Sequence, residues 1–295
     1  MPAAIMIEIV EDVGAGREWV EQLAAAAASA DGTFPLNEAA MLALRRPRPD
    51  VRHLLARTDD QLVGYAQLQQ DQDGLATGQL VVSPAARRRG VGRALLDRSL
   101  VLSGGRLQLW AMGDSAAAAA LAARAGLDRV RGLSIMTRPL DDDLPVAEPP
   151  AGVTIRSFRT GQDEDAWLAV NARAFAHHPE QGRITRADLA ERMAEPWFDP
   201  AGFLLAERGG RLIGFHWTKQ HPDRLGEVYV IGVDPDAGGG GVGKALLAAG
   251  LRYLRSQGNT EVKLYVESDH RTAIGLYAGA GFRERSRDVL YRTRG

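Results

Sequence analysis

Two stretches of this chain repeat one another nearly residue for residue, which confines the fold to something built from two copies of one unit. In the first, Leu80-Val81-Val82-Ser83-Pro84 precedes Arg87-Arg88-Arg89-Gly90-Val91-Gly92-Arg93-Ala94-Leu95-Leu96. In the second, Ile231-Gly232-Val233-Asp234-Pro235 precedes Gly238-Gly239-Gly240-Gly241-Val242-Gly243-Lys244-Ala245-Leu246-Leu247. Each copy reads as a strand, a glycine-rich turn and an amphipathic helix, with Leu96 and Leu100, or Leu247, Leu251 and Leu254, at helical spacing. Both continue with an apolar strand (Leu107 to Trp110; Val262 to Val266), an alanine-rich helix and a Gly-apolar pair, Gly126-Leu127 or Gly281-Phe282.

Upstream of each motif, Leu62 to Leu68 and Arg211 to Lys219 alternate as strands and lead into the motif strand as in an antiparallel meander. The run from Pro139 to Gly152, with Asp141, Asp142, Asp143, Pro145, Pro149 and Pro150, favours neither helix nor core and reads as a linker. The expected organisation is a domain over residues 1–138, a linker over 139–152 and a second domain over 153–295. At 295 residues the chain has room for two cores. The fold class is α/β in the α+β sense: each domain has a mixed, mostly antiparallel central sheet flanked by helices.

Hydrophobic residues at 45% and charged residues at 25% place the chain among ordinary globular proteins. With 36 basic against 37 acidic residues the net charge is −1, so no broad positive field is available to hold nucleic acid, and any anion site must be local. The absence of cysteine excludes disulfides, thiolate metal sites and a thiol nucleophile. Met1 to Val10 lacks the pattern of a signal peptide and no apolar run is long enough to span a membrane, so a cytoplasmic monomer is expected, with neither nucleic acid nor membrane as partner. His177 and His178 have no third ligand spaced to join them, and no metal is expected.

A strand that ends in a glycine turn and feeds a helix presents several backbone N–H groups at the positive end of the helix dipole, which suits a pyrophosphate. Glycine allows phosphate oxygens to reach the backbone and allows the positive φ at which the N–H groups converge. A dinucleotide-binding GxGxxG loop fits less well, because Asp114 and Asp269 do not stand where the ribose-binding acid belongs.

The (Q/R)xxGx(G/A) pattern after a V-x-P strand end, followed by A-x-x-L-Y-x-x-x-G-F, resembles the GNAT family of acetyl-CoA-dependent N-acetyltransferases. Gly241 and Gly243, then Ala273, Leu276, Tyr277, Gly281 and Phe282, carry it in the second half; Arg87, Gly90 and Gly92 match in the first. Gly238 stands where the family has Gln or Arg, and His270 where Asn is expected.

The resemblance implies acetyl-CoA as co-substrate, with cradles in both halves. Its contacts would be Leu80, Val81, Val82, Arg88, Arg89, Gly90, Val91, Gly92 and Arg93 in the first. In the second they would be Ile231, Gly232, Val233, Gly238, Gly239, Gly240, Gly241, Val242, Gly243 and Lys244, with His270, Arg271, Thr272, Ala273, Ile274 and Gly275 of the later helix.

Acetyl transfer from a thioester requires a neutral amine, a stabilised oxyanion and a proton for the departing thiolate. Glu227 is the expected base. Period two puts it on the side of Tyr229, Ile231 and Val233 unless a bulge intervenes. The family places the proton-donating phenol at Tyr277 and the oxyanion donor at the Val233 backbone N–H.

The segments Gly226 to Pro235, His216 to Lys219 and Leu264 to Asp269 resemble a member of the family whose acceptor is a cysteinyl amine on a hydroxyl-rich pseudodisaccharide. By that resemblance Glu38, Glu180, Lys219, Glu227 and Tyr265 bind the acceptor. Another small amine or a peptide N-terminus is the alternative acceptor. A non-catalytic acyl-CoA-binding module is the alternative class, although it would need neither Glu227 nor Tyr277. Aligning Gly126 with Gly281 sets Ala122 opposite Tyr277, so the first half is expected to bind without turnover. Trp167, Trp197 and Trp217 read as packing residues.

Overall fold

The structure is a computed structural model that describes residues 4–141, 143–178, 181–237 and 240–294. It divides into two units, residues 1–133 with 286–295, and residues 134–285. The division precedes Pro139, and the end of the chain belongs to the first unit.

The elements of the first half are β1 (Met6–Val10), α1 (Arg17–Asp31), α2 (Glu38–Arg45), β2 (Val51–Thr58), β3 (Gln61–Gln70), β4 (Ala76–Val82), α3 (Val91–Leu102), β5 (Leu107–Ala111), α4 (Ala116–Arg124) and β6 (Leu127–Pro139). Those of the second half are β7 (Val153–Ser157), α5 (Glu164–Ala174), α6 (Arg186–Met193), β8 (Phe203–Arg208), β9 (Arg211–His221), β10 (Leu225–Val233), α7 (Val242–Ser256), β11 (Glu261–Glu267), α8 (Arg271–Gly279) and β12 (Arg283–Thr293).

In the first unit β1 to β4 form an antiparallel meander and β4 runs parallel to β5, as expected of a mixed, mostly antiparallel sheet. Val289 to Arg292 of β12 then pair antiparallel with Ala111 to Gln108 of β5, which draws the C-terminal segment into this unit. One face of the sheet packs Leu54, Ala66 and Leu68 against Val91, Leu95 and Leu96 of α3, and the other packs Leu55, Tyr65 and Val81 against α1 and α2.

In the second unit β7 to β10 repeat the meander and β11 lies parallel beside β10. The stripe legible in the sequence, Leu247, Leu251 and Leu254 with Leu246, is buried under α7. At about 1.5–3 kcal/mol per buried leucine it contributes on the order of 10 kcal/mol before chain entropy opposes it. The opposite face is an aromatic core of Phe158, Trp167, Phe203, Phe215 and Trp217 beneath α5 and α6.

The run from Pro139 is not wholly a linker. Leu140 is buried in the core of the second unit and its N–H donates to the Thr260 carbonyl at 2.8 Å, because the chain continues along the line of β6 before it turns away. Arg138 of β6 donates to the carbonyls of Ala280 (2.5 Å) and Asp143 (2.9 Å), which ties the acidic run to the same unit.

Candidate active site

In the second unit β10 and β11 pair from Leu225↔Glu261 to Val228↔Leu264 and no further, although both strands continue. The sheet therefore opens after Val228. Asp234 N–H donates to the Ile213 carbonyl of β9 at 2.8 Å, and antiparallel strands alternate bonded and non-bonded pairs, so Val233 and Ile231 turn their amide groups away from β9 and toward the opening. An amide turned out of the ladder in this way is available to a ligand in the opening.

A bulge decides where Glu227 points. Val228 pairs with Thr218 and Val230 with Trp217, which leaves Tyr229 as the extra residue. Before it, Val228 packs on the α7 side, so the neighbouring Glu227 faces the aromatic side; after it, Ile231 and Val233 face α7 while Tyr229 and Val230 join the aromatic core. Period two through the strand would have put Glu227 with Ile231 and Val233. The bulge breaks that parity, and of Tyr229, Ile231 and Val233 only Tyr229 stays on its side.

Glu227 is buried, and its Oε2 lies 2.5 Å from His221 Nε2 and 3.5 Å from Lys263 Nζ. Burial pushes its carboxyl up, but the His221 hydrogen bond and the charges of Lys263, His221 and Lys219 outweigh burial and hold it below the ordinary carboxylate value. It is an anion at neutral pH. Lys219, its register partner on β9, is buried with its ammonium 4.4 Å from the Trp197 ring centre and 5.2 Å from that of Tyr229. Arg192 Nε donates to Tyr229 Oη at 3.1 Å, and Lys263 Nζ donates to the phenol oxygen of the exposed Tyr265 at 3.3 Å. Trp197 thus seats a cation as well as packing, whereas Trp167 and Trp217 are wholly buried. His221, Lys263, Trp197 and Tyr229 were not legible as site residues from the sequence.

Tyr277 lies on α8 with its ring edge-on to Phe282 at 5.9 Å, and burial lifts its phenol to about 12, so it is a protonated donor at neutral pH. His270 caps α8 by accepting from Ala273 N–H through Nδ1 at 3.2 Å, the task the expected asparagine would perform. The exposed Arg271, Thr272 and Gly275 and the half-buried Ala273 and Ile274 form the first turns of the same helix.

Helix α7 starts at Gly241, whose φ of 85° is left-handed and which supplies no side-chain cap. The N–H groups of its first turn, through Val242, Gly243 and Lys244, are those a phosphate would take. Gly238 and Gly239 lie outside the described residues, as does Glu180. A Cβ at Gly240 would stand 3.8 Å from Arg208 Nη2, so a guanidinium from the end of β8 reaches the turn from which the family's Gln or Arg is missing. Asp234, at the mouth of the turn, is buried and accepts from Arg173 (2.9 Å) and Arg211 (3.1 Å).

The first unit repeats this frame without a counterpart of Glu227 on β4 or of Tyr277 on α4. Strands β4 and β5 pair only from Ala76↔Leu107 to Gly78↔Leu109, Ser83 N–H donates to the Val63 carbonyl at 2.9 Å, and α3 starts at Gly90 with φ 90° and no side-chain cap. Leu80, Val81 and Val82 end β4, and Val91 and Gly92 begin α3. Arg88 and Arg89 are exposed beside the turn, Arg93 is paired with Asp97 at 2.7 Å, and Arg87 grips Asp31 with two bonds of 2.7 Å. The register of β4 against β3 is continuous, with no bulge, β4 carries no carboxylate, and Ala122 is buried at the position aligned with Tyr277. Glu38 of the acceptor set is the first residue of α2, in this unit.

Among the described residues no group of three or more His, Cys, Asp or Glu side chains gathers as a metal site, and no helix is long and apolar enough to cross a membrane.

The Acetyltransferase (GNAT) family model matches residues 16–127 and 169–282, well over half the chain and once in each unit. The chain is similar to a mycothiol acetyltransferase of Thermomonospora curvata, 55% identical over 92% of this chain and 91% of that one, and to a mycothiol acetyltransferase of Thermobispora bispora, 50% identical over 98% and 99%. Its fold is that of a tandem GNAT protein from the clavulanic acid biosynthesis pathway, with a TM-score of 0.77 at 20% identity over 98% of both chains. Two glycine-capped helices below two opened sheets, each matched by the same family, make this chain a member of the GNAT acetyltransferase family, an N-acetyltransferase that takes its acetyl group from acetyl-CoA.

Proposed function

We propose that the chain transfers acetyl from acetyl-CoA to the cysteinyl amine of the cysteine-glucosamine-inositol precursor of mycothiol, and that the second unit alone performs the transfer. The substrate assignment follows the relatives, named mycothiol acetyltransferases, that match nearly the full chain at 50–55% identity. The observation that carries the chemistry is the buried, ionised Glu227, set by the bulge at Tyr229 beside the opening between β10 and β11.

In this reading Glu227 takes the proton of the acceptor's ammonium, whose ordinary pKa near ~8 leaves a modest transfer for a carboxylate to manage. The Val233 N–H steadies the oxyanion that develops on the acetyl carbonyl, and Tyr277 donates toward the departing sulfur. The first turn of α7, with Arg208 beside Gly240, takes the pyrophosphate, and the start of α8 from His270 to Gly275 completes the donor site. Lys219, Glu227 and Tyr265 bind the acceptor's hydroxyl and amine groups. The first unit holds acetyl-CoA at Gly90 to Arg93 but has no counterpart of Glu227 or Tyr277.

The test is incubation with acetyl-CoA and either the cysteinyl pseudodisaccharide or simple amines, with CoA and acetylated product followed by chromatography. Preference for the pseudodisaccharide by orders of magnitude in kcat/KM is expected. Equal rates with simple amines would defeat the substrate assignment.

A further inference from the structure

Glu227 is a carboxylate 6% exposed, and a buried charge persists only when it is paired. The groups that face it come from three strands. His221 and Lys219 approach from β9, Lys263 and Tyr265 from β11, and Tyr229 lies on the same strand with its hydroxyl held by Arg192 of α6. Among them His221 makes the short contact, 2.5 Å from Nε2 to Oε2. An ionised carboxylate only accepts, so the imidazole donates from Nε2. Lys263 meets the same oxygen at 3.5 Å, so both contacts fall on Oε2.

His221 is not on a loose loop. It is the last residue of β9 and pairs with Leu225 across a tight hairpin whose Asp223 and Arg224 take left-handed φ values of 62° and 57°. The hairpin sets the ring at a fixed height above the carboxylate, and the side chain is one-quarter exposed.

We infer that His221 is a positioning residue for the transfer: by donating to Oε2 it fixes the Glu227 carboxylate as an anion and leaves Oε1 as the oxygen that receives the acceptor's proton. This rests on the reading of Glu227 as the base. Without the donor, Glu227 stays buried but loses its strongest stabilising contact, so protonation becomes easier and the base is charged only at higher pH. Lys263 and Lys219 remain and keep the change moderate.

The experiment measures kcat and both KM values between about pH 3.5 and pH 9 for the full chain and its His221→Ala and His221→Gln variants, with acetyl-CoA and the cysteinyl pseudodisaccharide, because the acidic limb of a carboxylate held below its ordinary value lies under about pH 5. His221→Ala should move the acidic limb of kcat upward by about one pH unit, which reads as a roughly tenfold loss on that limb, with the KM for acetyl-CoA within about twofold. His221→Gln, whose amide can donate to the same oxygen, should return the limb most of the way. If the alanine variant fails to fold, His221→Asn, too short to reach Oε2, replaces it and should show the alanine profile.

Limbs that coincide in wild type and His221→Ala would overturn the inference, as would equal losses at every pH in the alanine and glutamine variants. A parallel Glu227→Gln variant separates the two readings. If it keeps full turnover, Glu227 is not the base. If it is inactive while the His221 variants match wild type, only the positioning role fails.

Discussion

Replacing Tyr277 by phenylalanine removes one oxygen and tests how the sulfur leaves. The Tyr277 phenol is buried and lifted to about 12, so it is a neutral donor throughout the working range, and its phenolate costs roughly 3 kcal/mol more here than in water. A thiol near ~8.5 is the stronger acid, so complete transfer of the phenol's proton to sulfur would run uphill by roughly 5 kcal/mol. Tyr277 therefore acts chiefly as a hydrogen-bond donor to the developing thiolate, an interaction that contributes about 1.5–3 kcal/mol with a charged acceptor. Tyr277→Phe should lower kcat by about 10- to 150-fold and move the KM for acetyl-CoA by less than about twofold. The ring's edge contact with Phe282 survives the change, so the fold should be kept. The assay separates CoA from substrate by chromatography, because a cysteinyl acceptor carries a thiol of its own and defeats thiol reagents. The wild-type profile should show no basic limb from this phenol below about pH 10. Full turnover in the variant, or a loss beyond about 10⁴-fold in a folded protein, would refute a hydrogen-bond donor role for Tyr277.

Gly243→Val sets a branched side chain where a Cβ already stands 3.6 Å from Val233 Cγ2, at the mouth of the α7 cradle; it should abolish one of two acetyl-CoA sites in calorimetry together with turnover. Gly92→Val, where a Cβ meets Leu121 at 3.5 Å, should remove the other site and leave at least half the rate; turnover lost with Gly92→Val and kept with Gly243→Val would reverse the assignment of the units. Gly250→Ala drives a Cβ to 2.1 Å from Cε1 of the buried His216, whose Nδ1 bonds the Leu246 carbonyl at 2.9 Å, and should destabilise by about 2–4 kcal/mol. Gly279→Ala, at an open site on α8, should stabilise by about 0.5–1 kcal/mol, so the two urea midpoints should move in opposite directions; a shift of both to lower urea would show that α8 is not open there.

The sequence by itself determined the duplication, the mixed sheet with helices on both faces, the two glycine-capped cradles and the contrast between Tyr277 and Ala122. Each is local: a strand end, a turn residue with positive φ and a helix stripe are written within a dozen neighbouring residues, and the repeat reads them twice. The antiparallel step from residues 211–219 into the motif strand was legible too, whereas the register that sets Lys219 opposite Glu227 came with the structure. What only the tertiary structure decided depends on non-local pairing. The bulge at Tyr229 adds one residue to β10 against β9, and no composition rule marks it, yet it reverses the face of every residue beyond it and sets Glu227 apart from Ile231 and Val233. The opening between β10 and β11 arises where parallel pairing stops, which neither strand encodes alone. The ring of His221, Lys219 and Lys263 comes from two strands on either side of Glu227, and it makes a buried carboxylate an anion. The placement of residues 286–295 in the first unit follows from the pairing of β12 with β5, which breaks the simple division at Pro139 because strand partners are chosen by edges that meet in space, whatever their order along the chain.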